Sequence, residues 1–438
     1  MAKLSKEEAK QIIDKVLSYA SADETEVSVS GGRTGNIRYA RNTVNTSGES
    51  NTISVAVTSV YGKKSGVATG NELTDEALKR IVEKSEEIAQ LAPENPEYMP
   101  MLGPQDYPET KNFSQKTADI DPTYRAKAAM DSIEVSNAGN LTAAGYMEDF
   151  AGFTAMGNSK GMFGYNQSSS VDFSVTVRTA DGTGSGYAIR DFNDVGLLSA
   201  KNVTEISAQK AQASINAQAI EPGKYTVILE PTAANDLLRL LAFNMDARSA
   251  DEGRSFLSKK GGGTRLGEKL FDERVNIYSD PMHPDLPGRP WNNEGLPSEK
   301  ITWVENGAVK NMFYSRYWAD KKGVDPVGRP TGIIFEGGND SLADMIRNTQ
   351  RGVLVTRFWY IRAVDPQTLL YTGLTRDGTF YIEDGQIKFP VKNFRFNESP
   401  VIMLNNIEAM GKPQRAGGNL IPPMKIRDFT FTSLSDAV

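Results

Sequence analysis

The chain has 438 residues, a net charge of −6 at pH 7, one histidine and no cysteine. Without cysteine there can be no disulfides, thiolate ligands or thiol nucleophiles, and the acidic charge without a basic stretch argues against nucleic-acid binding. No apolar run reaches the roughly 18 residues of a membrane span, and the charged start of the sequence is unlike a signal peptide. We therefore expect a cytoplasmic protein that contacts no membrane.

Residues 1–95 are predicted to form a small N-terminal α+β domain. Apolar residues recur at helical spacing over residues 5–20 and again after Thr74, which is a typical N-cap. Between these helices, polar and apolar residues alternate over 26–30 and 53–57, a pattern typical of strands. The predicted order is helix, sheet, helix.

A similar order is predicted for residues 110–220, after a proline-rich linker at 93–108. A helix begins at Asp121, strands follow with the clearest at 170–179, and residues 200–219 form a closing helix. The repetition is compatible with two related layers or with one composite sheet, and the sequence does not decide between them.

The third predicted domain, residues 221–438, is rich in β structure. A strand at 224–230 precedes one long helix at 232–248. Later segments are rich in β-branched and aromatic residues, namely 301–318, 352–362, 378–396 and 424–433. The predicted fold class is therefore α+β, with two N-terminal α+β layers followed by a large β-rich domain that carries one long helix.

Several motifs in this third domain occur in a characteristic order. Residues 291–297 (WNNEGLP) precede 301–307 (ITWVENG), and residues 373–380 (GLTRDGTF) precede 382–387 (IEDGQI) and 404–411 (LNNIEAMG). The ordered set resembles the TldD/TldE (PmbA) peptidase family, also called modulators of DNA gyrase. Each motif alone is common, and Gly307, Gly378 and Gly385 are expected to serve as turn residues with positive φ.

The resemblance implies a metal site that this chain has lost. Active TldD-type members carry HExxxH on the long helix, where two histidines bind zinc, the glutamate acts as general base, and a later cysteine is the third ligand. Here Leu237 and Leu238 fall at the His-Glu pair and Ala242 at the second histidine, and residues 232–256 contain no histidine. The resemblance therefore implies a TldE/PmbA-like chain without catalytic or metal-binding residues and without peptidase activity of its own.

Other chemistries have weak support in the sequence. His283, the single histidine, lies in a proline-flanked loop. The carboxylates of Asp246, Asp251 and Glu252 could bind calcium or magnesium, but we favour a surface on which they alternate with arginines. The Asp-Gly-Thr-Gly at 181–184 resembles the Asp-Thr-Gly motif of aspartic proteases, but it has no second copy, so a hairpin turn is the better interpretation.

The family resemblance also implies partners. The expected form is a heterodimer with a zinc-bearing TldD-type subunit that degrades unfolded peptides, and this chain would shape the cleft that guides them. The residues proposed for a peptide groove or interface are Asn244, Asp246, Arg248, Trp359, Tyr360 and Arg362, although the aromatic residues could equally fill the core. The alternative is a non-enzymatic homodimer that binds a protein or peptide as a regulator.

Overall fold

A computed structural model describes residues 4–435, and it has the predicted α+β fold class. Helices and long strands alternate up to about residue 213, and β structure dominates from Gly223 onward. Within residues 4–435, no helix is long and apolar enough to cross a membrane.

The two N-terminal segments share a single antiparallel sheet, which we call the composite sheet. Its strands are β1 (Glu24–Ala40), β2 (Thr43–Tyr61), β3 (Lys64–Gly70), β4 (Leu141–Asn158), β5 (Phe163–Thr179) and β6 (Ser185–Phe192), in the order β3-β2-β1-β4-β5-β6. Val29 in β1 pairs with Val55 in β2 on one side and with Ala155 in β4 on the other. Of the two arrangements compatible with the sequence, the structure has the composite sheet.

Helices cover one face of the composite sheet along its whole length. They are α1 (Lys6–Tyr19), α2 (Asp75–Leu91), the short α3 (Gln115–Ala118), α4 (Pro122–Ala138) and α5 (Ala200–Ala213). Val29 packs in the cluster with α1 and α2, and Ile37 packs in the cluster with α4 and α5. Because these two positions of β1 are separated by an even number of residues, they point to the same face.

A large sheet and a small sheet make up the C-terminal region. The large sheet contains β7 (Gly223–Leu229), β12 (Arg351–Val355), β13 (Phe358–Asp365), β14 (Leu370–Thr375), β15 (Thr379–Glu383), β16 (Gln386–Pro390), β17 (Phe394–Glu398), β18 (Ile407–Met410) and β21 (Met424–Leu434). The small sheet contains β8 (Ile277–Ser279), β9 (Ile301–Glu305), β10 (Ala308–Val309), β11 (Ile333–Phe335), β19 (Gln414–Ala416) and β20 (Asn419–Ile421). The predicted turn residues Gly307, Gly378 and Gly385 have φ values of 77°, 128° and 74°, which confirms that prediction.

The C-terminal helices are α6 (Pro231–Phe243), α7 (Ala247–Asp251), α8 (Arg316–Lys322), α9 (Leu342–Arg347) and α10 (Pro400–Asn405). The prediction of one helix over 232–248 is wrong, because α6 ends at Phe243. The Asn244 side chain donates to the Leu240 carbonyl (2.8 Å) and to the Tyr371 hydroxyl (3.1 Å). Asp246 then begins α7 by accepting from the Ser249 amide at 2.7 Å.

Side-chain contacts attach the composite sheet to the C-terminal region. The Ser185 hydroxyl donates to Asp377 at 2.6 Å, and Arg415 donates to Asp191 at 2.8 Å. A further ion pair joins Lys210 of α5 to Glu230, the residue before α6, at 2.6 Å. These contacts hold the edge strand β6 against the C-terminal sheets.

A buried ionic cluster lies beneath α4. The Arg125 and Asp149 side chains are 1% and 0% exposed and are 2.9 Å apart. Arg33 contacts Asp149 at 2.8 Å, and Glu49 contacts Arg125 at 2.8 Å. A Cβ at Gly35 would lie 1.9 Å from Arg125 Nη1, so only glycine leaves room for this cluster.

We therefore expect Gly35→Ala to lower the free energy of unfolding by about 3 kcal/mol, because the added methyl group separates a buried ion pair. Gly48→Ala is the matched control: it lies in the neighbouring strand, and its Cβ would meet only the Asn36 side chain at 3.8 Å. The control should change stability by less than about 1 kcal/mol. Urea unfolding measures both, and equal effects would contradict a role for Gly35 in the ionic cluster.

Candidate functional site

The positions aligned with the family's zinc motif lie inside the C-terminal core. Leu237 and Leu238 are fully buried and Ala242 is 5% exposed. They belong to the same apolar cluster as Val227 and Val355 of the large sheet. The solvent-facing side of α6 carries Arg239 and Phe243 instead.

The side chains around α6 do not fit a zinc ion. The three aligned positions offer no donor atom, and the chain has no cysteine to act as a further ligand. His283 is half-buried in a turn, where its Nδ1 accepts from the Asp285 amide at 3.2 Å. In the part of the chain that the structure describes, no group of three His, Asp or Glu side chains is placed to hold a metal ion.

The carboxylates of α7 have separate partners. Asp246 caps the helix, as described above, and Asp251 accepts from Trp318 Nε1 at 2.8 Å. Arg248 forms a bidentate ion pair with Glu97 of the linker, with hydrogen bonds of 2.8 and 2.9 Å, and it also contacts Glu252 at 3.0 Å. This arrangement matches the alternating charged surface better than a calcium or magnesium site.

The predicted aromatic cluster divides between core and surface. Phe358 is buried in the C-terminal core, whereas Trp359 and Tyr360 are 42% and 61% exposed. The Arg362 guanidinium lies 4.2 Å from the centre of the Tyr360 ring. Since β13 is the edge strand of the large sheet, these side chains are displayed at its border.

Alternating aromatic and arginine side chains lead from β6 to this border. The Arg357 guanidinium lies 3.7 Å from the Tyr187 ring centre and 4.9 Å from that of Trp359. The Arg376 guanidinium lies 4.8 Å from the centre of the Trp359 ring. Asp377 holds Arg357 at 2.8 Å, so the exposed indole rests on a fixed cationic support.

Asp236 of α6 is half-buried and lies beside this group. Burial raises the pKa of its carboxyl to about 6, although Arg239 and the Phe358 amide, which donates to it at 3.3 Å, act in the opposite direction. The carboxyl therefore changes charge near neutral pH in a position that connects α6 to β13.

A cavity of about 740 Å³ separates the composite sheet from the C-terminal loops, and we call it the central cavity. Phe150, Ser168 and Ser170 of β4 and β5 form one wall. Loops spanning 279–299 and 326–332 form the opposite wall. Its size is within the range of pockets that bind small ligands or short peptide segments.

A second cavity of about 570 Å³, the side cavity, lies at the end of α6. The predicted groove residues Asn244 and Asp246 line it, as does the turn at 365–367. Arg329 lines both cavities and therefore marks their junction. Arg248 lines neither the central nor the side cavity.

Three arginines that line the central cavity are not among the residues predicted from the sequence, namely Arg289, Arg329 and Arg415. A signal for two of them is present, since Gly-Arg-Pro occurs at 288–290 and again at 328–330. So short a repeat is not informative by itself. It becomes relevant here because the fold places both copies beside one cavity.

Comparison with known proteins identifies matching family models over most of the chain. The model of PmbA/TldA metallopeptidase domain 1 matches residues 25–89, and the central-domain model matches residues 106–215. The model of the PmbA/TldA metallopeptidase C-terminal domain matches residues 222–433.

Individual relatives are distant. A metalloprotease from Methanothermobacter thermautotrophicus is 24% identical over 258 residues, so the match spans 55% of this chain and about half, 53%, of that relative. A metalloprotease PmbA homolog from Haemophilus influenzae is 24% identical over 376 residues, 80% of this chain and 79% of that protein. The structure of TldE from Thermococcus kodakarensis matches with a TM-score of 0.86 at 20% identity, over 97% of this chain and 99% of that chain. At this identity the structural match shows the shared fold alone.

We expect Asp236→Asn to raise the free energy of unfolding at pH 7.5 by about 1–3 kcal/mol. The pKa of Asp236 is raised to about 6 in the native state, whereas the pKa of an aspartate in the unfolded chain is about 3.9. Between about pH 4 and pH 6 the carboxyl of Asp236 is therefore protonated in the native state but ionised in the unfolded state. The destabilising effect of the carboxylate is absent below about pH 4 and complete above about pH 6. Urea unfolding at pH 4 and at pH 7.5 measures the effect. An equal increase in the free energy of unfolding at both pH values would contradict it.

Proposed function

Since models of all three PmbA/TldA metallopeptidase domains match it, this chain belongs to that family, and we propose that it is a metal-less subunit of the TldE (PmbA) type. In this proposal a TldD-type partner subunit carries the zinc and performs hydrolysis. The present chain forms part of the cleft that holds unfolded peptides for the partner.

The observation that carries this proposal is the apolar burial of α6. Leu237, Leu238 and Ala242 pack in the core, where full burial of a leucine side chain contributes about 1.5–3 kcal/mol. Replacing them with the zinc-binding residues would bury polar groups among apolar ones. With a single histidine and no cysteine in the chain, the site could not be completed elsewhere.

The central and side cavities support a role in peptide binding. They meet at Arg329 and together extend from the composite sheet to the turn at 365–367. We assign Asn244 and Asp246 to the peptide groove because both line the side cavity. Arg248 is better assigned to holding the linker in place, through its two contacts with Glu97.

We assign Trp359, Tyr360 and Arg362 to a subunit interface. Exposed aromatic residues beside arginine are typical of the side chains that contribute most to protein–protein binding. They lie on an edge strand, and the stacked Arg357 limits the movement of the indole. The partner at this border is a TldD-type subunit in the main proposal and a second copy of this chain in the alternative homodimeric regulator.

The proposal predicts that peptidase activity requires two different subunits. This chain alone should not cleave an unfolded peptide, a mixture with the TldD-type protein from the same host should cleave it, and a chelator should abolish cleavage because it removes the partner's zinc. Release of dye from a labelled, unstructured peptide measures all three conditions. Equal cleavage by this chain alone and by the mixture would contradict the proposal.

The interface assignment predicts that Trp359→Ala weakens subunit association at least about tenfold, which corresponds to about 1.4 kcal/mol. Tyr124→Ala on α4 is the control, since that tyrosine is also exposed (36%) but lies on the helix-covered side of the composite sheet. Titration calorimetry with the partner, or sedimentation for the homodimer, gives the affinity. Unchanged association of a folded Trp359→Ala protein would remove this residue from the interface.

A further inference from the structure

The two Gly-Arg-Pro tripeptides bring Arg289 and Arg329 to the same cavity. Both arginines line the central cavity, although they are 40 positions apart in the sequence. The two loops pack together where Gly328 meets Asn292, and a Cβ at Gly328 would lie 2.9 Å from the Asn292 amide nitrogen. The glycine therefore allows the close approach that places the second arginine beside the loop of the first.

Aromatic rings hold the guanidinium of Arg329 in place, while most of its N–H donors make no hydrogen bond to the described residues. It lies 4.0 Å from the centre of the Phe313 ring and 5.7 Å from that of Phe243. Within residues 4–435 its one carboxylate partner is Asp246, with which a single Nη forms a long ion pair of 3.5 Å. A guanidinium has five N–H donors, so stacking fixes the plane of the group and leaves most donors available.

Arg289 is similarly available. Its side chain makes one contact with the described residues, a hydrogen bond of 3.3 Å to the Asn293 side chain, and it is exposed. Arg415, the third arginine of the cavity, differs because it donates to Asp191 at 2.8 Å and to Asn193 at 2.9 Å. The unsatisfied cationic donors therefore belong to the two Gly-Arg-Pro loops.

The carboxylates that line the cavity do not neutralise these two arginines. Asp280 accepts from the Met282 amide at 2.9 Å, and Glu294 accepts from the Arg316 amide at 3.1 and 3.3 Å. Glu299 is exposed, where water solvates its charge. The cavity thus presents free positive donors in a chain whose net charge is −6.

We propose that Arg289 and Arg329 bind a carboxylate of the peptide, supplied by its C-terminus or by an Asp or Glu side chain. This assignment rests on the proposed peptide-binding function and adds a preference for substrate charge. Planar guanidinium groups pair with carboxylates through two parallel hydrogen bonds, which gives both orientation and strength. Bound at the junction of the two cavities, such a carboxylate fixes the register of an extended peptide along the groove.

Fluorescence anisotropy with dye-labelled unstructured peptides tests the assignment on the full chain. One peptide has a free C-terminus, a second is its amide, and two further amides differ only by a central Glu or Gln. At least one carboxylate peptide should bind about tenfold more tightly than its neutral match. The two pairs distinguish terminal from side-chain recognition.

Variants identify the residues responsible. The double substitution Arg289→Gln and Arg329→Gln should abolish the preference, while Arg329→Lys should keep part of it because charge remains without the planar fork. Arg347→Gln is the control, since that arginine is 70% exposed, pairs with Asp344 and lines neither cavity. Equal affinity for both members of each pair, no binding of any peptide, or a preference that survives the double substitution would overturn the assignment. The mixed-subunit cleavage assay reports separately on the proposed function.

Discussion

The burial of α6 between the two C-terminal sheets is the constraint on which the rest of the site depends. The helix contacts β7 and β13 of the large sheet and β19 and β20 of the small sheet. Leu237, Leu238 and Leu241 are fully buried there, so their positions are fixed by packing and cannot be exchanged for polar groups at small cost. The exposed Arg239 and Phe243 and the half-buried Asp236 lie on the side of α6 that remains available for contacts outside the core.

The same helix also organises the surrounding cleft. At its start, Glu230 pairs with Lys210 of the composite sheet's helix α5. At its end, Phe243 faces the guanidinium of Arg329, the residue at which the central cavity meets the side cavity. Both ends of α6 are therefore tied to neighbouring elements, and these contacts fix the end of the helix that lines the side cavity.

Local rules predicted the beginnings of helices and the turns well. Ser5 and Thr74 cap α1 and α2 as their residue types suggest, and the glycines of the C-terminal hairpins have positive φ. The composite sheet could not be predicted in the same way, because Val29 pairs with Ala155, which is distant in the sequence. The missed end of α6 has a similar reason, since the Tyr371 hydroxyl that holds Asn244 comes from another part of the chain.

The candidate functional residues also divide into those that the sequence predicts and those that depend on contacts between distant segments. The absence of an HExxxH motif and of cysteine is visible in the sequence itself, because it does not depend on the fold. The exposure of Trp359 and the convergence of Arg289 and Arg329 on one cavity are tertiary features, so only the structure reveals them. Element periodicity carried no information about either.

Metal analysis of separated and combined subunits tests whether this chain itself binds zinc. Elemental mass spectrometry would measure this chain purified alone, this chain isolated from a complex with the proposed TldD-type partner, and that partner itself. We expect no stoichiometric zinc in this chain in either state and bound zinc in the partner subunit. Tightly bound, stoichiometric zinc in this chain purified alone would show that it is not a metal-less subunit.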